Sequence, residues 1–130
     1  MNLNRKVGSM NYDGLITGLV EEVRSDGRTI AKGSTEVTYK RGTVFARSVT
    51  DGKLYILGSA PASGDTLTPD CILPDDTEVG TGADVNVAAY TGGRFDPGKV
   101  IVKDGHTMTN AERDALRIRN IEFTAAFEAN

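Results

Sequence analysis

The feature that most constrains the fold is the stretch of residues 38–76, in which short apolar runs alternate with tight-turn signals. A glycine turn at residues 40–42 leads into a predicted strand over residues 43–49, and Asp51-Gly52 then turns the chain back. Asp-Gly between two apolar runs is a strong hairpin signal, because both central residues of a type I′ turn adopt positive φ. The sequence therefore predicts an antiparallel hairpin at the centre of a β-rich domain.

The returning strand of this hairpin contains four consecutive apolar residues. A strand with one face in water alternates apolar and polar residues, so a continuous run predicts that both faces are covered. In a small antiparallel domain, the second cover is either a barrel interior with a helix outside it or another subunit. The candidates for contact between subunits are these four residues and an aromatic residue of the C-terminal apolar tail: Leu54, Tyr55, Ile56, Leu57 and Phe127.

The composition limits the class of protein. A chain of 130 residues is long enough for one domain with its own core. Its 15 glycines favour short strands and turns over long helices, so a mainly β domain is expected. With the one short C-terminal helix predicted below, the expected fold class is α+β, and a barrel-like domain is one of the two arrangements that would cover the returning strand. A net charge of -3 argues against a nucleic-acid-binding protein, which usually carries a basic surface.

The single cysteine and the hydropathy pattern indicate the redox environment of the protein and its relation to membranes. Cys71 has no second cysteine for an internal disulfide, which fits a reducing environment. No apolar run approaches the length of a membrane span, and the N-terminus has no apolar segment typical of a signal peptide. We therefore expect a protein that is not inserted in a bilayer.

Residues 1–11 form a polar segment with isolated apolar residues, ahead of a β-rich domain over residues 12–130. Such a segment buries too little to hold itself in place and is expected to be flexible in the free protein. It is either an ordinary frayed terminus or an arm that orders against a partner, for example by adding a strand to an exposed sheet edge. The candidate arm contacts are Leu3, Val7, Met10 and Tyr12.

The other segments are assigned from local patterns. Residues 12–23 have apolar spacing that suits a helix, but Gly14 and Gly18 oppose it. Strands are predicted over residues 36–39 and 85–90, where apolar and polar residues alternate. Further apolar runs occur at residues 71–73 and 100–102, and turns or loops are predicted at residues 25–27, 75–84, 91–94, 95–98 and 104–105.

One helix is predicted, over residues 110–119. Thr109 and Glu112 have the spacing of a capping box, in which each side chain accepts a hydrogen bond from a backbone amide of the first turn. The side chains expected to form its apolar face are Ala111, Ala115, Leu116 and Ile118. A strand over residues 121–124 is predicted to follow, because apolar and polar residues alternate there.

Residues that carry chemistry do not form a recognisable catalytic group. His106 is the only histidine and lies between a turn and a helix cap, which favours a turn or surface role over a triad or zinc site. Cys71 lies in an apolar run, where a thiol behaves as a small hydrophobe. Arg113 and Arg117 are four residues apart on the helix and are typical of a solvated face.

Two loops resemble ligand-binding motifs only superficially. Asp75-Asp76 lacks the alternating acidic series and closing glutamate of a calcium loop. Gly92-Gly93-Arg94 belongs to neither glycine-rich phosphate motif. The sequence therefore predicts no enzymatic activity, with no catalytic residue, no cofactor and no metal ion.

Several segments together resemble the head decoration proteins of tailed bacteriophages, the group that contains the lambda decoration protein. Residues 39–47 (YKRGTVFAR) are similar to the family's RGTVL segment, and Gly64-Asp65 followed by residues 71–76 (CILPDD) resembles its Gly-Asp and IL-x-x-D segment. Residues 85–96 look like its vytsGefn segment, and residues 105–123 are similar to its C-terminal helix and strand. The segments occur in the family's order. The chain departs from the family at Phe45, often a smaller aliphatic residue there, and in its longer polar N-terminal segment.

The resemblance implies a small β-rich domain, sometimes called a β-tulip, that forms a homotrimer. Members sit at threefold and quasi-threefold sites of the mature phage head and cement neighbouring major capsid subunits against internal DNA pressure. They also carry an N-terminal arm that is disordered in the free trimer and ordered on the shell. By this resemblance, residues 1–11 are a capsid-binding arm and the subunit-contact candidates belong to a trimer interface.

The same resemblance sets the expected location and partners. The protein is expected on the outer surface of the virion, and in the host cytoplasm before assembly. Its expected partners are the major capsid protein and its own copies, with no nucleic acid, membrane or small-molecule substrate.

Two other functions stay open at this point. One is a virion-surface module that binds carbohydrate or a host surface, although such modules usually expose aromatic residues in a groove and this chain has only four Tyr and four Phe. The other is a small hydrolase, which would depend on His106 or Cys71.

Overall fold

The computed structural model describes residues 15–18 and 23–124. Within these ranges it contains nine strands and one helix, α1 (Asn110–Ile118). The strands are β1 (Ile16–Gly18), β2 (Arg24–Ile30), β3 (Val37–Tyr39), β4 (Val44–Ser48), β5 (Leu54–Ile56), β6 (Leu67–Ile72), β7 (Thr77–Val79), β8 (Val85–Phe95) and β9 (Ile121–Phe123). The predicted mainly β domain with one short C-terminal helix is confirmed.

Five of the strands close into a barrel. Their order is β8-β2-β5-β4-β6, and a pairing between Ile72 of β6 and Tyr90 of β8 completes the circle. Neighbouring strands are antiparallel except β2 and β5, which meet in a parallel pair at Ile30 and Leu54. Strands β1 and β9 flank the last residues of β8, while β3 and β7 form a separate two-stranded sheet.

The barrel interior is filled by one buried residue from each of its five strands. These residues are Ile30, Phe45, Leu54, Cys71 and Ala89. The ring of Tyr39 packs edge-on against the ring of Phe45, with 5.1 Å between ring centroids. Burying a side chain of this size stabilises the fold by about 1.5–3 kcal/mol.

A second apolar cluster lies between the barrel and helix α1. Strand β4 contributes to both clusters, with Phe45 inside the barrel and Val44 and Ala46 on the side of Leu116 of α1. Strand β4 is therefore covered on both faces, by the barrel interior on one side and by the cluster beneath helix α1 on the other. The same prediction for residues 54–57 was wrong in part, because Tyr55 and Ile56 are only half-buried.

The central hairpin is present, but its second turn differs from the prediction. At the first turn, the amide of Thr43 donates to the carbonyl of Lys40 at 3.1 Å and Gly42 has a φ of 97°. The connection from β4 to β5 spans residues 49–53, and within it only Gly52 has positive φ. This five-residue loop is longer than a two-residue type I′ turn, so the predicted turn type was wrong.

Several segments predicted to be turns or loops lie in strands or contain them, because pairing with distant strands outweighs the local turn signals. Residues 25–27 lie inside β2, where Asp26 pairs with Ala89, and residues 91–94 lie inside β8. The predicted loop of residues 75–84 contains β7, and residues 100–102 contribute only an isolated bridge to Thr43. Ladder hydrogen bonds and packing against both neighbours outweigh the weak local preference of these residues.

Helix α1 begins as predicted and has a narrower buried face than predicted. Thr109 and Glu112 form the capping box, and the helix ends before Asn120, which has a left-handed φ of 73°. Leu116 is its buried residue, whereas Ile118 is 83% exposed. Residues two positions apart project from nearly opposite sides of a helix, so Leu116 and Ile118 cannot share one face. The prediction for Ile118 was wrong for that reason.

The capping box gives a first testable prediction. The Thr109 hydroxyl accepts a hydrogen bond from the Glu112 amide at 3.1 Å, so Thr109→Ala leaves that amide without its side-chain partner. We expect a loss of about 1 kcal/mol in the free energy of unfolding, measured by urea denaturation. Thr107→Ala, at an exposed position just before the cap, is the control and should leave stability unchanged. Equal losses in both variants would contradict a capping role.

Candidate functional site

The entry and exit of the described domain lie at the same end of strand β8. Ile16 of β1 and Phe123 of β9 both pair with Phe95, on opposite sides of β8. The amide of Asp96 donates to the carbonyl of Leu15 at 2.8 Å, and the amide of Thr124 donates to the carbonyl of Phe95 at 2.9 Å. We call Leu15, Ile16, Phe95, Asp96 and Phe123 the terminal face, since residues 1–14 and 125–130 join the domain there.

Burial anchors the terminal face to the core. Leu15, Ile16 and Phe95 are buried within the cluster beneath helix α1, and Phe123 packs against that cluster. The ring of Tyr90 lies 5.6 Å from that of Phe95 between centroids, which supports the same region from within β8. The terminal face is therefore a firmly held part of the domain.

A groove of about 510 Å³ runs beside the terminal face, between helix α1 and strand β9. Arg113, Asp114 and Arg117 line its helix side, and Phe123 lines its strand side. Arg117 donates to the Asp114 carboxylate at 2.9 Å, and both side chains are exposed. The arginine pair noted in the sequence thus lies at the rim of this groove.

The structure separates the candidates for the trimer interface. Leu54 is buried inside the barrel and Leu57 in the cluster beneath helix α1, so the chain itself covers both. Tyr55 and Ile56 keep part of their surface in solvent. Phe127, like the arm candidates Leu3, Val7, Met10 and Tyr12, lies outside the described residues. Of the four candidates within the described residues, Tyr55 and Ile56 are those that a neighbouring molecule can reach.

His106 joins the helix cap to a neighbouring loop. Its Nε2 lies 2.9 and 3.1 Å from the two carboxylate oxygens of Glu112, and one of those oxygens also accepts the Thr109 amide. A β-carbon on Gly58 would lie 2.8 Å from the His106 side chain, so the imidazole packs directly over that glycine. These contacts give His106 a structural role at the start of α1.

Cys71 is enclosed in the barrel interior. Burial raises the pKa of its thiol well above the usual value, and the adjacent Asp70 carboxylate acts in the same direction. A thiol must ionise to act as a nucleophile or metal ligand, so this environment suppresses its reactivity. Cys71 therefore serves as a packing residue.

A buried carboxylate joins three parts of the fold. The side chain of Asp70 on β6 has no exposed surface, and it accepts a hydrogen bond from Arg28 Nε on β2 at 2.7 Å. Its other oxygen lies 3.3 Å from Arg119 at the end of α1. The hydrogen bond to Asp70 raises the pKa of the Arg28 guanidinium. Sequence reasoning missed this cluster, because its members come from distant segments and have no shared local pattern.

A second carboxylate gives a prediction about pH. Hydrogen bonds, first from the Ser48 hydroxyl at 2.6 Å, lower the pKa of Asp65 below its usual value. A group with a depressed folded-state pKa contributes stability above the unfolded-state pKa of about 4 and loses it as the pH falls through the folded-state pKa. We expect the free energy of unfolding to fall below about pH 4, and Asp65→Asn to make that fall shallower in denaturant titrations repeated across pH.

The control for this titration is Asp104→Asn, which removes an exposed carboxylate that has no hydrogen bond within the described chain. Identical pH profiles for the wild type and Asp65→Asn would contradict the assignment.

The described residues contain no group of three or more His, Cys, Asp or Glu side chains arranged to hold a metal ion. Within the same ranges, no helix has the length and apolar character needed to cross a membrane. Neither a protein family model nor a curated protein matches this sequence.

Proposed function

We propose that this chain is a capsid decoration protein that binds as a trimer at threefold and quasi-threefold sites of a mature phage head and stabilises the shell. The observation that carries the proposal is the ordered series of segments that resemble the decoration family. The five-stranded barrel with one short C-terminal helix fits the mainly β domain that this resemblance implies.

Contacts between the resembling segments support treating them as one pattern. The amide of Gly42, in the first segment, donates to the carbonyl of Leu73, in the second, at 2.8 Å. The Arg41 amide donates to the Asp76 carboxylate at 2.8 Å, and Phe45 pairs with Cys71 across the β4–β6 ladder. Segments that are distant in sequence are thus in direct contact. Contact between them is expected if the chain shares the fold of the family that these segments resemble.

The terminal face supports the proposed mode of binding. Residues 12–14 connect the proposed arm, residues 1–11, to Leu15, whose side chain is buried. Ordering an arm costs roughly 1–2 kcal/mol per residue in backbone entropy, so a single arm binds weakly. Three arms on one trimer bind together, and the effective concentration can raise avidity by about 10²–10⁴. Threefold symmetry also matches the point symmetry of the proposed site.

The test compares the full chain with a variant that lacks residues 1–11. We expect both proteins to be trimers by sedimentation equilibrium. We expect the full chain to bind expanded phage heads, and the shortened chain to bind them at least about 10²-fold more weakly. A second variant keeps the length but replaces the apolar arm residues Leu3, Val7 and Met10 by serine, and it should weaken binding to a similar extent.

Two outcomes would contradict the proposal. Full occupancy of heads by the shortened chain would remove the role of the arm. A monomeric full chain without affinity for expanded or unexpanded heads would remove the proposed function itself.

One feature favours the alternative of a virion-surface adhesion module. A shallow apolar depression of about 290 Å³ contains the half-buried Tyr55 with Pro61, Asp51 and Asp65 at its sides. Aromatic rings beside carboxylates suit sugar binding, but the Tyr55 hydroxyl already donates to Asp51 at 2.9 Å, and Asp65 already accepts the Ser48 hydroxyl. Glycan-array binding that disappears in Tyr55→Ala would favour this alternative over a capsid cement.

A further inference from the structure

A second surface, separate from the terminal face, has the composition of a protein-binding site. It is a shallow depression of about 240 Å³ between the β4–β5 loop and the end of helix α1. We call it the arginine depression, and its lining residues are Arg47, Ser48, Val49, Gly52, Thr68 and Arg119.

Strand β4 and the end of helix α1 position the two arginines. Arg47 pairs with Thr68 across the β4–β6 ladder and is exposed, while its neighbours Ala46 and Ser48 are buried. Its Nε donates to the carbonyl of Gly52 at 3.2 Å, which holds the side chain against the loop. Arg119 is the C-cap residue of α1, so the ordered end of the helix fixes its backbone.

The charge of the depression is positive. Both ionisable side chains in its lining are arginines. Arg119 lies 3.3 Å from Asp70, but that carboxylate also accepts the shorter 2.7 Å hydrogen bond from Arg28. One buried negative charge is thus divided between two guanidinium groups, and 43% of the Arg119 side chain stays exposed. This positive site stands out on a chain whose net charge is -3.

Apolar surface accompanies the positive charge. Val49, within the depression, is 71% exposed. Ile118, which precedes Arg119 in the chain, is also among the exposed large hydrophobic residues. Arginine is among the residues enriched at the energetic centres of protein–protein interfaces.

We infer that the arginine depression is a docking site for carboxylate groups on the surface of a partner protein. Guanidinium groups bind carboxylates through paired, charge-assisted hydrogen bonds, and Val49 offers contact to an apolar side chain beside the acid. A nucleic acid fits less well, because it needs a strip of several cations along its backbone.

The experiment titrates isotope-labelled full chain with a capped peptide of alternating glutamate and leucine and follows backbone amides by NMR. We expect shifts concentrated at residues 47–52, 68 and 118–120, with an affinity that falls as salt is added. We expect Arg47→Glu to weaken binding at least about tenfold, and Val49→Ser to weaken it by a smaller factor. A glutamine–leucine peptide should show no comparable binding.

The matched control is Arg117→Glu, a charge reversal on the same helix whose side chain lines the α1–β9 groove instead. It should leave the affinity unchanged, and the amide spectrum of each variant shows whether the fold is intact. The inference is overturned if the wild type does not bind the glutamate peptide, if the glutamine peptide binds equally well, or if Arg117→Glu weakens binding as much as Arg47→Glu. Tighter binding of an oligothymidylate than of the glutamate peptide would also overturn the inference, because it would indicate a nucleic-acid partner. None of these readouts depends on the proposed capsid role.

Discussion

Replacing Arg28 by methionine is expected to lower the free energy of unfolding by about 3–5 kcal/mol. The substitution keeps a long apolar stem but removes the guanidinium group that donates to Asp70 at 2.7 Å. The Asp70 side chain has no exposed surface, and among the described cations it would keep only the longer contact to Arg119. Leaving a buried charge uncompensated is among the most destabilising single changes in a protein. Urea denaturation with a constant m-value measures the loss.

Two further variants separate this effect from the mere loss of an arginine. Arg117→Met removes a guanidinium whose ion pair with Asp114 is exposed on both sides, and it should cost only about 0–1 kcal/mol. Combining Arg28→Met with Asp70→Leu removes both charges and should recover much of the stability lost in the single variant. If Arg28→Met lowers the free energy of unfolding no more than Arg117→Met does, the proposed role of the buried carboxylate is contradicted.

Replacing Gly42 by alanine is expected to cost about 2–4 kcal/mol. The φ of Gly42 is 97°, a region that L-residues with a β-carbon adopt at a cost of roughly 1–2 kcal/mol. The new β-carbon would also lie 2.7 Å from the carbonyl oxygen of Lys99, which belongs to the backbone. That backbone is held in place, because the Ile101 amide donates to the Gly42 carbonyl at 2.9 Å. Relieving this clash therefore requires the segments around Gly42 and Lys99 to move apart.

The matched control is Gly27→Ala. Gly27 lies in strand β2 without positive φ, and a β-carbon added there would have no neighbouring atom within 4 Å. Alanine at this position should leave the free energy of unfolding unchanged or raise it by up to about 1 kcal/mol. Thermal and urea unfolding of the two variants together measure the difference, and similar stabilities would show that the turn tolerates a side chain.

Elements with strong local signals could be predicted from the sequence. The capping box at Thr109 placed the helix start correctly, and the predicted helix end was one residue past Ile118. The central hairpin followed from Asp51-Gly52 between two apolar runs, and the strand at residues 85–90 followed from apolar alternation, with Val85, Val87 and Ala89 on the predicted face. These elements are specified by neighbouring residues, which is why a single sequence suffices to find them.

Glycine-rich segments were the main source of error in the fold. Residues 92–93 were predicted to be a turn, but both glycines are buried inside β8. A β-carbon on Gly93 would lie 3.3 Å from the ring of Phe95, so the glycine there allows close packing. The sequence alone does not distinguish a glycine needed for a turn from one needed for close approach.

The candidate surfaces depend on long-range contacts and could not be predicted in the same way. Arg47 and Arg119 line one depression because the fold places strand β4 near the end of helix α1. The pairing of β1 and β9 with the same residue, Phe95, is likewise a contact between distant segments. The spacing of residues in the sequence does not indicate such contacts, whereas the polar character of residues 1–11 can be read directly from the sequence.

Strand β8 pairs with β2 and β6 in the barrel and with β1 and β9 at its far end. A mechanical load that enters the described domain near Leu15 or Thr124 is therefore transmitted to β8 through the short ladders at Phe95. From there the load spreads into the closed barrel. Traction on one terminus is thus resisted by the most extensively paired strand of the domain, and not by a peripheral loop.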